Sequence, residues 1–156
     1  MIDSWSVDFI VSVGDNNYPY GEASTIDANI GQNFHEYIFN YQGIYGDGSD
    51  VQRFFPALGN HDWLTDGAQP YLDYFTLPGN ERYYTFTWGV VDFFILNSDY
   101  NEPDGVGSSS AQAQWLQSAM VEADGEWQLV FAHTAPYTSG GTQGPTEWMQ
   151  WPYEEW

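Results

Sequence analysis

Three short apolar runs, each closed by a compact polar cluster, constrain this chain more than any other feature. Val7 to Val13 (VDFIVSV) is rich in β-branched residues and ends at Gly14-Asp15-Asn16-Asn17-Tyr18. Arg53 to Leu58 ends at Gly59-Asn60-His61-Asp62, and Gln128 to Ala132 ends at His133. The first two runs suit buried parallel strands and the third reads as the next strand, which places every cluster at a strand's carboxyl end. Between the first two runs, Ile26, Ile30, Phe34, Tyr37, Ile38 and Tyr41 recur at helical spacing and predict a helix from about Thr25 to Tyr41. Tyr71, Tyr74 and Phe75 suggest a second, short helix. Tyr83 to Trp88 and Val91 to Asn97, split by Gly89, read as a β-hairpin. Ser109 to Glu122 reads as a helix that starts from serine caps. Thr138 to Trp156 shows no periodicity and reads as loop. Alternating strands and helices argue for an α/β domain whose ligands bind outside the carboxyl ends of its parallel strands.

With 156 residues and 42% hydrophobic content, one compact domain spanning 1–156 can bury a core. The aromatic share is high, but no apolar run approaches the roughly 20 residues of a membrane span. Acidic residues number 22 against Arg53 and Arg82 alone, giving a formal −20 with no lysine. Nucleic acids and anionic membranes would repel such a surface. The same self-repulsion motivates the hypothesis of a salt-rich or acidic extracellular setting, equally open to an ordinary acidic secreted enzyme. A fold that melted at higher temperature in low salt than in molar salt would contradict the salt-rich version. Zero cysteine removes disulfides, thiolate metal sites and cysteine nucleophiles together. Ile2 to Ser6 contains no basic stretch or apolar core, so no secretory signal is visible, and an extracellular or periplasmic location implies a removed signal or a missing start.

The polar clusters carry the chemistry. Asp15 offers two oxygens able to bridge two ions, Tyr18 a phenolate once a strong Lewis acid lowers its pKa, Asn60 a neutral oxygen and His133 a nitrogen. This mixed N/O set suits Fe, Zn or Mn and a two-metal hydrolytic site, for which phosphate esters are the natural substrates. His61 follows a ligand directly and suits a group that binds phosphate or protonates the leaving alcohol, with Asp62 orienting its imidazole. Taken singly, Gly-Asp and Gly-Asn are ordinary turn dipeptides, and it is their joint occurrence that gives weight. His35 lies off the helix's apolar face and reads as solvated. Asp47 and Asp50 read as a solvated turn. An EF-hand loop beginning at Asp15 fails, because Tyr20 and Ile26 stand where glycine and glutamate are needed. A P-loop fails for want of lysine, and no Gly-x-Ser-x-Gly is present. The tail aromatics Trp148, Trp151, Tyr153 and Trp156 exceed what a polar loop can bury, which opens a second reading of glycan or protein binding through aromatic loops.

On these motifs the chain resembles the calcineurin-like metallophosphoesterases, and specifically the purple acid phosphatase branch. That pattern runs Asp-x-Gly, Gly-Asp-x-x-Tyr, Gly-Asn-His-Asp/Glu, Val-x-x-His and Gly-His-x-His. Gly14 to Tyr18, Gly59 to Asp62 and Val130 to His133 match the middle three in order. The resemblance implies a metallo-dependent phosphatase fold of mixed α/β class, with two packed mixed β-sheets flanked by helices. It also implies a dinuclear centre of Fe(III) with Fe(II), Zn or Mn. Asp15 would bridge, Tyr18 would bind the ferric ion, and Asn60 and His133 would bind the divalent one. His61 would be the substrate-binding or acid residue as metal-bound hydroxide attacks a phosphomonoester. Tyr18 belongs to the purple branch and argues against a related phosphodiesterase or nucleotidase. The first and last motifs are not found, so the resemblance implies an interior piece of a longer phosphatase, incomplete at both ends. A noncatalytic relative that keeps the fold and binds partners is the alternative. Oligomeric state is left open.

Overall fold

The computed structural model describes residues 5–141 and 144–151. Two sheets carry the architecture. The first pairs β1 (Ile10–Ser12) with β2 (Phe54–Pro56) in parallel, Ile10 opposite Phe54 and Ser12 opposite Pro56. The second has the order β3-β4-β5, with β3 (Tyr84–Trp88) antiparallel to β4 (Val91–Ile95) and β4 parallel to β5 (Trp127–Phe131). Parallel neighbours need a crossover. The segment after β1 supplies one and α4 (Ala111–Glu122) the other. Ser110 caps α4 by accepting a hydrogen bond from the Ala113 N–H, a contact that contributes about 1 kcal/mol.

The sheets meet through aromatic rings. Phe55 of β2 stacks on Phe86 of β3 with centroids 3.6 Å apart, and Phe9 meets both Phe86 and Phe93 edge-on. Around them lies the larger core, including Ile26, Ile38, Leu58, Tyr71 and Phe75. A second core joins Phe94 and Leu96 to Leu116 of α4 and to Met149 and Trp151 of the tail. The mixed α/β reading with two sheets and helices holds.

Several local expectations are revised. The first helix does not run to Tyr41. It consists of α1 (Ala23–Ile26), a π-helical turn (Asp27–Gly31), α2 (Gln32–Phe34) and a 3-10 turn (His35–Tyr37), after which Ile38 is extended. The cause is Asp27, whose carboxylate accepts from the hydroxyls of Tyr41 and Tyr74 and from the Ile44 N–H. That cluster folds the following chain back over the helix. It also leaves no room at Gly31, where a Cβ would lie 2.1 Å from Asp27 Oδ1. Ile38 and Tyr41 are buried as their spacing suggests, but from non-helical backbone. His35 is not simply solvated, since its Nδ1 hydrogen-bonds the Asp47 carbonyl at 2.9 Å. The short helix is α3 (Gln69–Tyr74), opened by Pro70. The tail is not all loop. A 3-10 turn (Glu147–Met149) leads to Trp151, which is buried and donates from Nε1 to the Val106 carbonyl. Trp151 therefore leaves the set of exposed tail aromatics, Trp148 stays half-exposed, and Tyr153 and Trp156 lie outside the described residues.

Candidate metal centre

Asp15, Asn60 and His133 leave three different strands, and the structure brings them together. Close crossing of the loops makes this possible. A Cβ on Gly59 would sit 2.1 Å from the Asp15 nitrogen, and a Cβ on Gly14 would strike the His133 ring at 2.6 Å. Gly14 and Asp15 both have positive φ, 100° and 54°, a left-handed pair that turns the Asp15 carboxylate back toward β2's exit.

Once turned, Asp15 accepts at Oδ1 from the His61 N–H (3.0 Å) and at Oδ2 from the Tyr18 hydroxyl (2.7 Å). That hydrogen bond to Asp15, together with the nearby carboxylate charges, holds the Tyr18 hydroxyl above its ordinary value. His133 approaches from β5. Its Nδ1 lies 2.8 Å from the Val13 carbonyl, which can only accept, so Nδ1 carries a proton. In the neutral ring Nε2 is then bare, yet it faces Asn60 Oδ1 at 3.1 Å and Asp15 Oδ1 at 3.4 Å. Three lone-pair-bearing atoms pointed at one spot repel unless a proton or a cation stands among them.

His61 lies beside this cluster, its ring 4.4 Å from that of Tyr18 and its Nδ1 2.6 Å from the Pro19 carbonyl. By the same argument Nδ1 is protonated, and Nε2 is the nitrogen left for a ligand. Asp62 does not orient this imidazole, contrary to the expectation from sequence. Its carboxylate is 1% exposed and accepts four hydrogen bonds, from the N–H groups of Gly59, Asn16 and Asn17 and from the Asn16 amide. Burial pushes the Asp62 carboxyl up from its ordinary value, and those donors pull it part of the way back. Asp62 thus ties the loops after β1 and β2 to each other.

Sequence reasoning missed two sets of residues. Asn16 and Asn17 are buried members of the Asp62 cage. Ser98, Asp99 and Tyr100 follow β4 and line a cavity with Asn60 and His133. The signal was present, since Asn97-Ser98-Asp99 is another polar cluster after an apolar strand.

The residues present fit a cation in their chemistry: a carboxylate, a phenol, a carboxamide oxygen and an imidazole nitrogen form the N/O donor set of borderline metals. Among the described residues no three His, Cys, Asp or Glu side chains gather to hold a metal, so any site here depends on Tyr18 and Asn60 completing the pair Asp15 and His133.

Comparison with known proteins assigns the family. The calcineurin-like phosphoesterase model matches residues 2–155, nearly the whole chain. The chain belongs to that family. Among curated proteins it is similar to "Purple acid phosphatase 17" of Arabidopsis thaliana, 28% identical over 156 residues. That match covers 86% of this chain and 44% of the relative, so the phosphoesterase chain spans less than half the relative's length. No helix among its described residues is long and apolar enough to cross a membrane.

Proposed function

We propose that this chain carries part of the active centre of a metal-dependent phosphomonoesterase of the purple acid phosphatase type. Asp15 would bridge two ions, Tyr18 would bind Fe(III), and Asn60 and His133 would bind Fe(II), Zn or Mn. The carrying observation is the convergence of His133 Nε2 on the oxygens of Asn60 and Asp15, a set of atoms from three strand ends that a cation can join. Charge supports it too. Arg82 is held by Glu102 and Asp104, and Arg53 by the Val7 and Asp8 carbonyls. With no lysine in this chain and both arginines engaged, metal ions and imidazolium are the positive charge these residues can offer a phosphate dianion. Bound at this centre, the ions supply Lewis acidity that activates water and neutralises phosphoryl oxygens.

The chain's own residues then divide the work. The Tyr18 hydroxyl donates to Asp15 at 2.7 Å, which keeps both oxygens side by side until a cation takes the place of that proton. His61, with Nδ1 committed to Pro19, presents Nε2; as the imidazolium it binds a phosphoryl oxygen and passes its proton to the departing alcohol oxygen. The P–O ester bond breaks as water's oxygen joins phosphorus, releasing alcohol and inorganic phosphate. An extracellular or periplasmic setting accords with the acidity of the chain.

The test uses the complete protein. Asp15→Asn and His133→Ala should each abolish phosphomonoester hydrolysis, and near-normal turnover in either would sink the reading. Added Fe(III) should give a visible absorption band that Tyr18→Phe removes.

A further inference from the structure

A cleft of about 370 Å³ lies where the outer edge of β3 meets α4 and the turn at residues 78–80. It shares no lining residue with the cluster of Asp15, Asn60 and His133. Its volume falls within the roughly 300–1,000 Å³ of small-ligand pockets. β3 is an edge strand among the described residues, and Tyr83 and Thr85, two positions apart, share the face that α4 covers. Trp115 comes from α4, half-buried against the second core, and its ring meets that of Tyr83 with centroids 4.9 Å apart and planes at 56°. The Tyr83 hydroxyl donates to Asp104 at 3.0 Å, which fixes this aromatic corner.

Asn80 is held as firmly. Its Oδ1 accepts from the N–H groups of Arg82 and Tyr83, so the amide is oriented, and its Nδ2 has no partner among the described residues. Thr85 Oγ1 donates to the Phe93 carbonyl, which leaves its lone pairs free to accept. No charged side chain lines the cleft. An anion would find no cation on this wall and would meet the chain's formal −20 charge, while a cation would find no carboxylate there. The cleft therefore suits an uncharged ligand that is apolar on one face and polar at its rim.

We propose that this cleft is a carbohydrate subsite that takes the ring of a neutral hexopyranose, its C–H face on Trp115 and its hydroxyls on Asn80 and Thr85. The slightly positive C–H hydrogens of such a ring meet the negative face of the indole. Asn80 Nδ2 donates to one hydroxyl oxygen, and Thr85 Oγ1 accepts from another hydroxyl. Tyr83 and Asn80 are locked by their own hydrogen bonds before the sugar arrives, so binding has little left to order. Pro78, Gly79 and Thr85 are exposed at the rim, which lets a longer glycan continue past the bound ring. The site serves to hold the protein on glycan and does not depend on the phosphoester chemistry.

The complete protein is titrated by ligand-observed NMR with glucose, galactose, mannose and cellobiose. Sorbitol is the open-chain control, and a proline-rich peptide is the competing occupant of an aromatic groove. At least one pyranose should bind with a Kd of about 1 mM or tighter, and about tenfold more tightly than sorbitol. Trp115→Ala should weaken that binding about tenfold, and Trp115→Phe should hold it within about threefold. Asn80→Asp keeps the oxygen that holds the Arg82 and Tyr83 N–H groups and removes the Nδ2 donor; it should weaken binding about fivefold, and it carries the test if Trp115→Ala unfolds. Binding should persist in EDTA. No pyranose binding tighter than sorbitol, or affinities unmoved by Trp115→Ala and Asn80→Asp, would overturn the subsite. Binding lost on chelation would move the sugar to the metal centre, and Trp115-dependent binding of the peptide in place of the sugars would make the cleft a peptide groove; either would also overturn it.

Discussion

Asp15 and Asp62 leave neighbouring parallel strands and lie in adjoining loops, yet they are treated in opposite ways. Asp62 is surrounded by N–H donors, four of them, and shut away from water. Asp15 receives one backbone N–H and one phenol, and its remaining lone pairs face an imidazole nitrogen that has nothing to donate in the neutral ring. The first carboxylate has its charge balanced by the fold and therefore builds the scaffold. The second receives half as many donors, and its remaining lone pairs are the ones the proposed function gives to a cation. Location at a strand end does not separate these roles; the count of donors does.

That contrast can be broken most forcefully at Asp62. Replacing Asp62 by alanine orphans buried N–H groups on two loops and should lower stability by about 3 kcal/mol or more in urea unfolding. A loss below that of Asp15→Ala would erase the distinction. Gly59→Ala should come next, at about 2 kcal/mol, because the new methyl must push the Asp15 backbone away. It should also remove any thermal stabilisation by added divalent ions. Asp15→Asn should cost less than about 1 kcal/mol in the metal-free protein while abolishing that ion-dependent gain in Tm.

The smallest effect concerns a third carboxylate. Burial opposes ionisation of Asp27, but the hydroxyls of Tyr74 and Tyr41 and the Ile44 N–H outweigh it and hold the carboxyl below its ordinary value. A depressed folded value means that the stabilisation is present above the ordinary carboxylate value and is lost as pH falls through the lowered one. Asp27→Asn should therefore flatten the acid limb of stability measured between pH 2 and 5, and an unchanged limb would show that the tyrosine cage does not act through charge.

The strands and the approach of Asp15, Asn60 and His133 were legible because both depend on local pattern: β-branched runs of limited length, then glycine where loops cross. Ser110 and α4 were legible for the same reason. The early end of the first helix was not, since it depends on Asp27 meeting Tyr74, a residue 47 positions away. Asp62 was misread because adjacency to His61 in sequence suggested contact, whereas in a tight turn successive side chains diverge and the buried one takes backbone partners. The tail's Trp151 was misassigned because its burial requires α4 and the Val106 carbonyl, both supplied from elsewhere in the chain.

The commitment of both arginines has a practical side. Trypsin cuts after lysine or arginine, and this chain offers it only Arg53 and Arg82. The first guanidinium lies over the Tyr37 ring and grips the strand entering β1, while the second is forked between two acids. Cleavage at either site requires that grip to open, so the rate of tryptic digestion reports how often the chain entering β1 lets go of Arg53 and how often the loop around Glu102 lets go of Arg82.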